Sequence, residues 1–185
     1  MDTTATPVRS VRKLYSWEIE QARLVFQDGL NYDVVRIHEG VSWPDWIDKI
    51  GRRLKRMEPN PWHNAITLGN SCFFPVILPR NFAPPDNPDH GLFCWLIHEL
   101  THVWQYQKFG WRYLFQAVKT QLGEKAAAYD FGSKEGLKMH RKDGWTFTKF
   151  NPEQQGDIVR SYYDRLSKGK DISDWEPYIQ ELRSL

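Results

Sequence analysis

The order of apolar and polar residues predicts several short helices and strands arranged around one long apolar helix. From about Gly91 to Lys108 the chain reads Leu92-Phe93-Cys94-Trp95-Leu96-Ile97, then His98-Glu99-Leu100-Thr101-His102, then Val103-Trp104-Gln105-Tyr106-Gln107. Apolar residues recur there on a helical period, and Gly110 marks the stop. A further helix is expected from Trp111 to Leu122. Upstream, Ser16 is placed to cap a helix from Trp17 to about Phe26, with Glu18 and Glu20 in its positive first turn. Tyr32 to His38 is β-branched enough for a strand. Ile47 to Met57 has an amphipathic pattern, broken by Glu58-Pro59-Asn60-Pro61. Ala65 to Ile77 reads as strand, turn, strand, bending at Gly69-Asn70. Pro79 to His90 is a loop. Asn151 and Pro152 open another helix as cap and first residue, and Gln154 completes a capping box; Ile158, Val159, Tyr162 and Leu166 carry it to Gly169. A last helix is expected from Asp174 to about Leu182. Residues 123–150 show no firm period, and residues 1–13 read as a flexible arm.

This pattern predicts an α+β fold with one domain over residues 14–185, because no repeat or linker divides the chain. Its length of 185 residues suffices for a sizeable core, and 41% hydrophobic content excludes a disordered chain. The aromatic share of 15% implies a bulky core or a groove lined with rings. The net charge of +2 comes from scattered residues, with one denser cluster at Arg52-Arg53-Leu54-Lys55-Arg56 that reads as a solvated helix face. No nucleic-acid motif is present, and no apolar stretch is long enough to span a bilayer. The N-terminus lacks the basic-then-apolar pattern of a cleaved signal. Cys72 and Cys94 sit in apolar surroundings and fit a reducing compartment as free thiols, with a single disulfide as the alternative. A cytoplasmic chain is expected, with export open by a route that needs no cleaved signal.

The candidate chemistry lies on the central helix. His98 and His102 are four apart, so they share one helix face and can converge on one ion at the distances zinc requires. Glu99 is one step round the helix, beside such an ion, where it can act as general base toward a metal-activated water. Ionisable groups in an otherwise apolar helix are costly unless paired or bound to metal. A catalytic zinc site needs a third protein ligand. The template H-E-x-x-H-x-x-G-x-x-H is excluded, because Gln105 and Lys108 stand at its Gly and final His. A second template takes a glutamate from a later helix, followed four residues on by an aspartate. Glu153 and Asp157 match it on one face of the capped helix. Glu153 then supplies the third ligand, and Asp157 accepts the ring N–H of a ligand histidine. Asp130 and His140 are competing third ligands.

Together these residues resemble the gluzincin group of zinc metallopeptidases. More closely, the chain is similar to small zincin-like proteins associated with bacterial Vgr and Rhs secretion-spike systems. Ala65 to Asn70, Ile97 to Gln107, Phe150 to Gln155, Ile158-Val159, Tyr162-Tyr163 and the helix-then-strand opening from Glu20 to Ile37 carry this resemblance. It implies a single zincin-like domain, in which a small sheet packs on the H-E-x-x-H helix and a following ligand-bearing helix. It also implies a Zn2+-dependent peptidase acting on a peptide or protein substrate, with a secreted effector as the role such a resemblance suggests. The substrate would lie as an added strand along a sheet edge, for which Thr67 to Phe74 is the candidate. Tyr129, Tyr162, Tyr163 and His140 are candidates for stabilising the oxyanion, with Tyr129 taken as the catalytic one. A secretion-spike or immunity-type protein is the implied partner. Two other functions fit the same residues: a non-catalytic zinc-containing module of a spike, and an amidase acting on cell-wall peptides.

Overall fold

A computed structural model describes residues 10–41, 65–121 and 131–185 of the chain. It is a mixed α+β domain. Strand β1 (Ser10–Arg12) leads into helix α1 (Ser16–Phe26), a 3-10 turn (Tyr32–Val34) and strand β2 (Arg36–Glu39). Strands β3 (Ile66–Leu68) and β4 (Ser71–Phe73) precede the long helix α2 (His90–Gln121). Helix α3 (Ser133–Lys142), a 3-10 turn (Phe147–Lys149), helix α4 (Pro152–Ser167) and helix α5 (Glu176–Ser184) complete the order. The helix expected over Ile47–Met57, with its basic cluster, lies outside the described residues.

The strands form a sheet in the order β1-β2-β4-β3. β1 and β2 are antiparallel, β2 and β4 parallel, and β3 and β4 form an antiparallel hairpin with Thr67 opposite Cys72. Gly69 turns that hairpin at φ 62°, where the sequence placed the bend. Ile37, Cys72 and Phe74 are fully buried, and α2 packs on β3 and β4. The other side of α2 runs along α4, burying Leu96, Ile97, Leu100, Val103 and Trp104 in one core with Ile158, Val159 and Tyr163. This sandwich brings two helices distant in sequence side by side, with β3 at the sheet border beside them.

Several boundaries moved for physical reasons. Ser10–Arg12, assigned from sequence to the flexible arm, is an edge strand. Arg12 fixes it by donating to both oxygens of Glu18, at 2.7 and 2.8 Å, and to Glu39 at 3.0 Å. Tyr15, not Ser16, caps α1: its backbone N–H donates to Glu18 Oε2 at 2.7 Å. The strand expected from Tyr32 starts only at Arg36, because Tyr32 belongs to a 3-10 turn and its hydroxyl donates to the Gln27 carbonyl at 2.8 Å. α2 breaks where expected: Gly110 has φ 72° and ψ −176°, a conformation open to glycine and costly for other residues. The Asn151 cap is also as expected, accepting from Gln154 N–H at 2.9 Å, and the Asn151 N–H donates back to Gln154 Oε1 at 3.2 Å.

Candidate metal centre

The four-residue stride of His98 and His102 places both rings on the face of α2 that meets α4. The capped start of α4 aims Glu153 at the same point. Three atoms converge there. His98 Nε2 is 3.2 Å from His102 Nε2 and 3.2 Å from Glu153 Oε2, and His102 Nε2 is 3.5 Å from that oxygen. A tetrahedral ion with ligands at roughly 2.0–2.1 Å would separate them by roughly 3.3 Å, so this triangle has the dimensions of one face of a zinc polyhedron.

The opposite edges of both rings determine where the protons are. His98 Nδ1 lies 3.1 Å from Asp157 Oδ1, and a carboxylate can only accept, so the ring N–H sits on Nδ1. His102 Nδ1 lies 2.9 Å from Gln105 Oε1. The Gln105 amide is oriented by its own donation to the Pro152 carbonyl at 3.1 Å and to Gln155 Oε1 at 2.9 Å. Gln155 in turn donates to the carbonyls of Phe147 and Phe150. His102 therefore also carries its N–H outward. With both rings neutral, two bare nitrogen lone pairs and a carboxylate oxygen face one another. That arrangement is repulsive unless a proton or a cation sits between them.

The electrostatics agree. Burial opposes a charged His98, but its bonds to Asp157 and Glu153 outweigh burial and raise it to about 10. Burial likewise opposes charge on His102, and Glu153 reverses this and raises it. For Glu153, burial would favour the neutral acid, yet His102 and His98 hold its carboxyl well below the usual range. The cluster thus demands positive charge, and its donor set of two imidazoles and one carboxylate fits zinc.

Glu99 is 4% exposed and stands beside the triangle. Thr67, on the border strand β3, donates its hydroxyl to Glu99 Oε2 at 2.7 Å. Gly156 lies one turn along α4 from Pro152 and faces the His98 ring directly. A Cβ at that position would come within 2.7 Å of His98 Cε1, so only glycine lets the two helices approach this closely.

The structure thus brings together His98, His102, Glu153 and Asp157, with Glu99 alongside. His140 lies tilted against Trp145 with centroids 4.2 Å apart and meets Phe150 edge-on, outside the convergent group. Tyr162 donates its hydroxyl to Glu176 and Tyr163 to Gln21, so both are engaged elsewhere. Tyr129 and Asp130 lie outside the described residues. Gln105, Gln155, Gly156 and Thr67 were missed from sequence. Gln105 left one signal: an amide three residues after a motif histidine, in an apolar helix.

An α+β domain in which two histidines and a glutamate converge between two helices is what fold and site define. Over 152 residues the chain is 31% identical to a type VI secretion system spike protein, VgrG2b, of Pseudomonas aeruginosa. The match covers 82% of this chain and 13% of that protein's length. No family model matches the chain, and no solved structure matches it. No helix among the described residues is long and apolar enough to cross a membrane.

Proposed function

We propose that the chain is a zinc-dependent peptidase of the gluzincin type that works in association with a secretion spike. The triangle formed by His98 Nε2, His102 Nε2 and Glu153 Oε2 carries this reading, since both histidines have their far nitrogens bound by acceptors. Zinc held there would supply the positive charge that acidifies a water molecule and polarises a peptide carbonyl. The residues of the chain perform the remaining tasks. Asp157 and Gln105 fix the ring tautomers. Thr67 anchors one oxygen of Glu99, which leaves the carboxylate oriented to take a proton from the attacking water and return it to the leaving amine. Strand β3 ends the sheet among the described residues, and an extended peptide annealed there would run past Glu99. The similarity to a spike protein supports delivery or docking with such an assembly, and a protein or peptide is the proposed substrate.

The nature of that relative also favours a second reading, a zinc-containing spike module without catalysis. Glu99→Gln separates the two. We expect it to keep zinc, by elemental analysis, and to lose cleavage in a proteome-wide screen against wild type. Identical peptide profiles for wild type and variant would remove the peptidase reading. His102→Ala should lose the zinc held at this centre, and an unchanged number of bound zinc ions would reject the ligand set.

A further inference from the structure

The four-residue stride on α2 begins before the motif. His90, Cys94, His98 and His102 occupy one stripe, and Asp164 stands two turns beyond Asp157 on α4. We propose that His90, Cys94 and Asp164 form a second cation site, suited to zinc, at the opposite end of the contact between α2 and α4.

His90 and Cys94 are each 3% exposed, and Asp164 is half-buried. His90 Nε2 lies 3.3 Å from Cys94 Sγ and 3.3 Å from Asp164 Oδ1, and Cys94 Sγ lies 3.8 Å from that oxygen. Tetrahedral zinc with sulfur at roughly 2.3 Å and nitrogen or oxygen at roughly 2.0–2.1 Å would set these separations at roughly 3.3–3.6 Å. Ser167 Oγ, 3.2 Å from His90 Nε2, stands at the same point. A cavity of about 460 Å³ lined by Cys94, Asp157, Arg160 and Asp164 gives an ion access from solvent.

The geometry does not suit a thiol nucleophile. In a nucleophile–base–acid relay the histidine uses opposite ring nitrogens, whereas here Cys94 and Asp164 face the same one. His90 Nδ1 is buried with no hydrogen-bond partner. The set differs from the first centre in containing sulfur, which selects borderline and soft ions over Mg2+ or Ca2+. On binding, the Cys94 thiol loses its proton to solvent through the cavity. The incoming ion also competes with Lys168, whose Nζ sits 2.5 Å from Asp164 Oδ1 on the exposed side.

Because only this site offers a thiol, cobalt distinguishes it from the first. Co2+ added to the metal-stripped full chain should give a thiolate-to-cobalt charge-transfer band in the near ultraviolet. The band should vanish in Cys94→Ser, checked for folding by circular dichroism, and survive in His102→Ala. Asp164→Asn, at a half-exposed position, should weaken the band-forming affinity about tenfold or more. Absence of the band at excess Co2+ would overturn the site. So would its persistence in Cys94→Ser, which would assign it to Cys72, or an unaltered affinity in Asp164→Asn. One bound equivalent with the band would retain this site and reject the His98–His102–Glu153 centre; one equivalent without it would do the reverse.

Discussion

Gly156 shows how much of the proposed centre depends on a side chain that is missing. Its α-carbon lies against the His98 ring, and a methyl group would meet three ring atoms at 2.7 to 2.9 Å. Gly156→Ala should therefore push His98 away from Glu153. We expect a loss of about 1–3 kcal/mol in stability from overpacking, and weaker zinc binding, measured by urea denaturation and chelator competition. Unchanged affinity would mean that the helices can separate without cost to the site. His98 supports a second prediction at this scale. Without a cation, its bonds to Asp157 and Glu153 overcome burial and hold its proton up to about pH 10. Zinc requires the neutral ring, so loading at pH 7.5 should release close to one proton from His98, and affinity should fall as pH drops. Calorimetry in buffers of different ionisation enthalpy checks this; a heat independent of buffer would contradict it.

At the scale of elements, the edge strand β1 is held by charge more than by length. Arg12 bridges two buried carboxylates, Glu18 on α1 and Glu39 on β2, with side chains 1% and 0% exposed. Arg12→Met should strip Glu18 of its guanidinium partner and leave Glu39 with Arg80 alone, at a cost of about 3–5 kcal/mol. Adding Glu18→Gln and Glu39→Gln should recover most of it, read from denaturation midpoints. This strand was illegible in sequence for the same reason: three residues carry no period, and the partners of Arg12 lie 6 and 27 positions away. Helix α3 escaped too, since only Gly136 and Leu137 of its residues are buried. By contrast, the α4 cap, the break at Gly110 and the β3–β4 turn depend on nearest neighbours, and the sequence displayed them. The candidate site divides the same way. The His98–His102 spacing and the Glu153–Asp157 spacing are one-turn rules. Gln105, Gly156 and Thr67 matter only because other elements press against them, and no local pattern announces that.

For the whole molecule, the proposed ligands tie the middle of the chain to its last third, through α2 and α4. An ion bound there would stabilise the folded form alone and raise the melting temperature with free zinc. The described residues pack around one shared core. The contact between Thr67 and Glu99 has a mechanical consequence for such a domain. The hydroxyl that steadies the acid hangs from the outermost ribbon of the sheet. In the proposed peptidase, whatever threads along that margin would tug on the proton carrier as it settles, so that alignment of the guest and arming of the base would become one event.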